Sequence, residues 1–174
     1  MHHTLVALVE DKPGVLNRVA SLMRRRAFNI ESLTVGRTDE PGVSRMTFVI
    51  DGTQTGIDRV VANLYKLVNV LQVDDLTGTP AVSRDLALVK LSASPLSRAR
   101  LHRTIDEVGG HVVDSGTSTV TVEITGEPPR IDHAIDRLRA LGIVELVRTG
   151  ATAMARGDRT IKADAAPAAA VVGQ

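Results

Sequence analysis

The sequence predicts an α+β protein made of two βαββαβ units, and three observations lead there. Strand-length apolar runs and 3.6-periodic segments follow one another in the order β-α-β-β-α-β, twice over. Matching residues recur at a fixed offset: Ile57 and Ile131, Asp58 and Asp132, and Leu64 and Leu138 each stand 74 positions apart. So do Ser44 and Ser118, Thr47 and Thr121, and Ile50 and Ile124. Finally, the chain is 43% hydrophobic but only 2% aromatic, so Val, Leu, Ile and Ala must fill its interior, and they suit two small cores better than one large one.

The first unit is read over residues 3–77. Leu5 to Glu10 is an apolar run of strand length, closed by the turn Asp11-Lys12-Pro13-Gly14. Val15, Leu16, Val19, Leu22 and Met23 then mark one face of a helix. Asn29 to Gly36 is a second strand, expected beside the first. After the turn Asp39-Glu40-Pro41-Gly42 comes a third strand, Ser44 to Asp51. Ile57, Val60, Val61, Leu64 and Val68 line a second helix, and Val70 to Leu76 is the fourth strand.

Residues 78–84, with Gly78 and Pro80, read as a linker, and residues 85–158 as the second unit. Asp85 to Ala93 is a strand; Leu101, Ile105 and Val108 line a helix that stops at Gly109-Gly110. His111 to Asp114 and Ser118 to Thr125 form a hairpin. Ile131, Ala134, Ile135, Leu138 and Leu141 line the last helix, and Ile143 to Thr149 is the last strand. From Ala151 the pattern stops, and residues 159–174, Ala-rich at the end, are expected to be a disordered tail. The β-α-β-β-α-β order is the ferredoxin-like arrangement, an antiparallel sheet with both helices on one face. Sheets this apolar need covering, which predicts at least a dimer.

Composition narrows the function. Basic and acidic side chains number 21 and 20, so there is no electrostatic footprint for nucleic acid or an anionic membrane. With no cysteine, thiol catalysis, disulfides and Cys-ligated metals are excluded. No apolar run approaches the ~20 residues of a membrane span. The apolar pattern starts directly after Met1-His2-His3-Thr4, which leaves no signal peptide and predicts a cytoplasmic protein. No hydrolase, zinc-protease or P-loop motif occurs, and His102, His111 and His133 are scattered. Base-stacking on the sheet would need exposed aromatics, and Phe48 is the one candidate on a middle strand.

One stretch points to a ligand. Glu10 to Leu16 joins a strand to a helix whose first N–H groups and dipole suit a carboxylate. Gly14 permits close approach or positive φ. Asn29 can both donate and accept, so it can hold an α-amino and an α-carboxylate group. Val15, Leu16 and Ile30 would form the apolar wall. The plainer alternative is that Asp11 is a helix N-cap, Pro13 a first-turn residue and Gly14 a turn residue only.

The loop resembles that of ACT domains, small-molecule regulatory modules of amino-acid metabolism, whose first loop often reads D-x-P-G-x-L. Leu8-Val9-Glu10-Asp11-Lys12-Pro13-Gly14-Val15-Leu16-Asn17-Arg18-Val19 and Phe28-Asn29-Ile30-Glu31-Ser32-Leu33-Thr34-Val35-Gly36 are similar to the opening of acetohydroxyacid synthase small subunits. Ser44-Arg45-Met46-Thr47, Leu64 to Val70, Arg84 to Lys90 and Ala155-Arg156-Gly157 continue the resemblance, which covers about residues 3 to 158. Ser94 to Arg103, Asp114 to Ser118 and Thr125 to Pro129 depart most from it.

The resemblance implies a regulatory, non-catalytic subunit of branched-chain amino-acid biosynthesis. It implies a homodimer that binds a branched-chain amino acid, typically valine, through Asp11, Pro13, Gly14, Val15, Leu16, Asn29 and Ile30, and that activates or feedback-regulates a catalytic large subunit. Thiamine diphosphate, Mg²⁺ and FAD are expected on that catalytic subunit and no cofactor on this chain. The second unit has Ser92-Ala93-Ser94-Pro95 in place of the D-x-P-G loop and His111 near the place of Asn29, which assigns it to assembly or communication. The alternative is a stand-alone pair of ACT units sensing an amino acid for another target, such as a transcriptional regulator.

Overall fold

The computed structural model describes residues 2–51, 56–94 and 98–162. Among the described residues, those up to 82 together with 153–162 form one compact unit, and those between form the other.

In the first unit the order is β1 (His2–Glu10), α1 (Val15–Arg25), β2 (Ile30–Arg37), β3 (Val43–Asp51), α2 (Ile57–Leu64) and β4 (Val70–Asp75). The sheet order is β2-β3-β1-β4, with antiparallel neighbours. The second strand is therefore not beside the first: β3 lies between them, because a helical crossover leaves a gap that the next strand fills. Alternation along β1 sorts its side chains between two faces. Leu5, Ala7 and Val9 join Val15, Val19, Leu22 and Met23 of α1, Val60 and Leu64 of α2, and Phe48 in one core. Phe48 is fully buried there and cannot stack on a base.

Three of the four buried α1 positions follow Val15 at helical spacing, but Leu16, read on the same face, is 45% exposed. The helix ends in a Schellman turn: Ala27 N–H donates to Arg24 O at 3.1 Å and Phe28 N–H to Met23 O at 3.0 Å. Met23 and Phe28 pack in the same core, and Ala27 takes the left-handed position, φ 56, that such turns usually give to glycine.

The second unit repeats the order with β5 (Ala81–Ser92), α3 (Arg98–Glu107), β6 (His111–Ser115), β7 (Thr119–Gly126), α4 (Pro128–Arg139) and β8 (Ile143–Arg148), in the sheet order β6-β7-β5-β8. β5 begins at Ala81, inside the stretch 78–84 read as a linker. Val89, Leu91, Val120, Val122, Ile124, Ile131 and Leu138 are all fully buried in its core. Gly110 permits the tight approach of α3 to β7, since a Cβ there would stand 2.7 Å from Val122. Pro95 of the second-unit loop lies outside the described residues, as does 163–174 of the expected tail.

The regular pattern does not stop at Ala151. Thr152–Ala155 forms a further strand, β9, which pairs with β5. Arg156 N–H donates to Pro80 O at 2.9 Å, and its Nε to Ala81 O at 3.0 Å. On the side of β1 away from the main core, Ala153 packs against Val6 and Leu76, with Ala81, Ala155 and Ile161 around them. Arg45, half-buried and with its pKa lowered by desolvation, donates to Ala153 O at 2.7 Å. Arg159 forms an ion pair with Asp74. The end of the described chain is thus part of the first unit.

Candidate functional site

The loop after β1 leaves the sheet with Asp11 N–H donating to Gly42 O at 2.7 Å. Asp11, Lys12, Pro13 and Gly14 are all exposed. Gly14 has φ 83 and ψ −6, and it directly precedes α1 without any side-chain cap. A left-handed residue turns the chain sharply into the helix, and a side chain there would be strained although nothing lies within 4 Å of an added Cβ. Asp11 does not cap the helix. Its carboxylate instead accepts from Arg37 Nε at 2.9 Å.

In the first turn, Val15 N–H reaches Lys12 O at 3.3 Å. Among the described residues no protein group accepts from the N–H of Leu16 or Asn17. Those groups, with the positive end of the helix dipole, are suited to a carboxylate. A cavity of about 350 Å³ opens beside the loop, lined by Asp11, Arg37, Thr38, Glu40 and Gly42 among others.

The loop is braced from behind. Glu10 N–H donates to Asn69 O at 2.9 Å, and the Asn69 amide donates to Glu10 Oε2. Arg18 Nη1 donates to Asn69 Oδ1 at 2.6 Å, and Lys12 Nζ to Glu10 Oε1 at 3.0 Å. These contacts, the hydrogen bond from Asn69 above all, hold the Glu10 carboxyl below the usual carboxylate range.

Of the residues predicted for the site, Asp11, Pro13, Gly14 and Leu16 are together and accessible. Val15 is buried in the core and offers no wall to a ligand from outside. Asn29 and Ile30 stand elsewhere. β1 and β2 both run antiparallel to β3, so they are parallel to each other, and the start of β2 lies at the opposite end of the sheet from the end of β1. Two contacts mark the two ends. His2 Nδ1, at the start of β1, is 2.7 Å from Glu31 Oε2, whereas Arg37 at the end of β2 meets Asp11. From Asn29 to Arg37 the strand covers roughly 25 Å.

Asn29 is exposed, its backbone carbonyl accepts from Asp51 N–H at 3.3 Å, and no protein group bonds its side-chain amide among the described residues. The Schellman turn at Ala27 delivers it there. Ile30 beside it is half-buried. Sequence reasoning misses Asn69, Arg18 and Arg37. Asn69 is visible there only as part of a matching string, and nothing local shows that it faces Glu10, 59 residues away.

Among the described residues no group of three or more His, Asp or Glu is placed to hold a metal. None of the described helices is long and apolar enough to cross a membrane.

Residues 5–72 match the family described as AHAS small subunit-like ACT domain, and residues 84–157 the family described as small subunit of acetolactate synthase. A protein of Mycolicibacterium smegmatis named acetolactate synthase small subunit is 40% identical over 161 residues, which cover 92% of this chain and 95% of that one. One of Methanothermobacter thermautotrophicus, named "Probable acetolactate synthase small subunit", is 44% identical over 160 residues, 91% of this chain and 95% of the other. The crystal structure of the small subunit of acetolactate synthase from Thermotoga maritima superposes with a TM-score of 0.84 at 32% identity, covering 91% of this chain and 99% of that one.

Proposed function

The chain belongs to the family of acetolactate synthase small subunits, and on that premise we propose that it is the regulatory partner of a catalytic subunit and that two copies of its first unit bind valine between them. The observation that carries the effector reading is the separation of the loop from Asn29. A small amino acid cannot span roughly 25 Å within one chain. Two copies laid antiparallel along β2, an edge strand of the sheet, would bring the loop of one copy to Asn29 of the other.

In that arrangement the effector carboxylate sits on the N–H groups of Leu16 and Asn17, at the start of α1. The Asn29 amide of the second copy meets the α-amino and α-carboxylate groups, and exposed Leu16 with half-buried Ile30 receives the aliphatic side chain. Binding then changes how the two copies are held, and through them how the pair seats on the catalytic subunit. A coupling of about 1–3 kcal/mol is typical of such linkage. The chemistry, with thiamine diphosphate, Mg²⁺ and FAD, belongs to the catalytic subunit.

Calorimetric titration with valine tests the reading, with lysine as the control and Asn29→Ala beside the wild type. Saturable binding that Asn29→Ala abolishes is expected. Absence of valine binding would overturn the effector assignment, and unchanged binding in Asn29→Ala would move the site away from Asn29.

A further inference from the structure

We propose that Asn69 is a positioning residue for the effector loop, acting as a neutral wedge between a carboxylate and a guanidinium. The inference rests on the effector site described under the proposed function. Asn69 lies in the turn before β4 and is 8% exposed. Its backbone carbonyl extends the β1–β4 ladder to Glu10, the last residue before the loop. Its side chain donates to Glu10 and accepts from Arg18, one turn into α1. The loop Asp11–Gly14 hangs between those two anchors.

The polarity of the contacts fixes which way the amide points. A carboxylate only accepts and a guanidinium only donates, so Nδ2 must face Glu10 and Oδ1 must face Arg18. Asparagine alone satisfies both ends at this length. Aspartate would keep the bond from Arg18 but set a second carboxylate against Glu10, and glutamine would be one carbon too long. The wedge therefore sets the distance between the end of β1 and the second turn of α1, and with it the position of the Leu16 and Asn17 N–H groups.

The test is valine affinity of the full chain in Asn69→Asp, in Glu10→Gln/Asn69→Asp and in Arg18→Met, with thermal melts of each. Asn69→Asp is expected to weaken valine about tenfold or more, the scale of a hydrogen bond to a charged group. The double variant restores a donor facing an acceptor, since the amide introduced by Glu10→Gln donates to the carboxylate introduced by Asn69→Asp, and it should recover most of the affinity. A generic packing role would give no such rescue. Arg18→Met changes an exposed helix position, so it folds whatever the Asn69 variants do, and it should weaken valine several-fold. Asn69→Asp or Arg18→Met binding valine like the wild type would overturn the proposal, as would a folded double variant that binds no better than Asn69→Asp. If the wild type itself does not bind valine, it is the effector reading that fails.

Discussion

Asp11 Oδ2 accepts from Arg37 Nε at 2.9 Å, so the residue that opens the loop after β1 is tied to the residue that closes β2. The other end of β2 begins beside Asn29. One strand therefore separates the two halves of the proposed effector site, and each copy of the chain presents both halves at opposite ends.

Complementation between defective copies follows from that separation. Gly14→Val puts a β-branched residue at φ 83, which the loop cannot hold, although its Cβ meets no neighbour that would disturb the fold. Gly14→Val and Asn29→Ala should each lose valine binding alone. Mixed and allowed to re-pair, they should regain it at one of the two sites of every mixed pair, which calorimetric stoichiometry will read. No recovery on mixing would place both halves of the site in one chain.

Ala27→Gly should stabilise the protein. Ala27 sits at φ 56 in a Schellman turn whose hydrogen bonds are already in place, with Met23 and Phe28 in one core. Removing Cβ relieves left-handed strain of about 1 kcal/mol, partly offset by the greater freedom of glycine in the unfolded chain. Chemical denaturation should show a rise in midpoint at unchanged slope.

Acid should weaken the brace behind the loop. The folded-state pKa of Glu10 is depressed, chiefly by its hydrogen bond from Asn69 and then by that from Lys12. A depressed carboxyl contributes stability that is present above its unfolded pKa and is lost as pH falls through its folded pKa. Denaturation midpoints should fall in that acidic window for the wild type and fall less for Glu10→Gln. Equal acid sensitivity in both would remove Glu10 from the account.

Arg148→Met should be as costly as truncating a core side chain of the second unit. Asp85, with a side chain only 2% exposed, accepts from Arg148 Nε at 2.6 Å, and Arg148 also donates to Asp132 at 2.6 Å. Removing the guanidinium leaves a buried carboxylate without its cation, a loss of about 3–5 kcal/mol. Urea titration of the variant measures it, and Asp85→Asn/Arg148→Met should recover part of the loss.

Much of the fold is legible in the sequence because its elements carry strong periodicity. Val15, Val19, Leu22 and Met23 show a helix face, Leu5 to Glu10 shows a strand, and Gly109-Gly110 shows a stop. Leu16 misleads because its position beside Val15 satisfies the same pattern, while its side chain turns outward. β9 is hidden since Thr-Ala-Met-Ala has a single β-branched residue, Thr152, and is too short to show alternation. Its signal is the small apolar pair Ala153 and Ala155, which sequence alone does not separate from an alanine-rich end. The residues of the loop are legible, but not their separation from Asn29. That follows only once β3 is found between two parallel strands.

The return of Ala153 and the residues after it to the first unit has a consequence for the order of synthesis. The first unit is built from both sides of the sequence that forms the second. A ribosome releases residues in order, so the segment that covers Val6 and Leu76 emerges after the whole of 83–152. The unit whose translation starts earlier is then completed later, although its main core, Leu5 to Val73, is synthesised before the second unit. Until then the nascent protein leaves Val6 of β1 and Leu76, just past β4, without their cover.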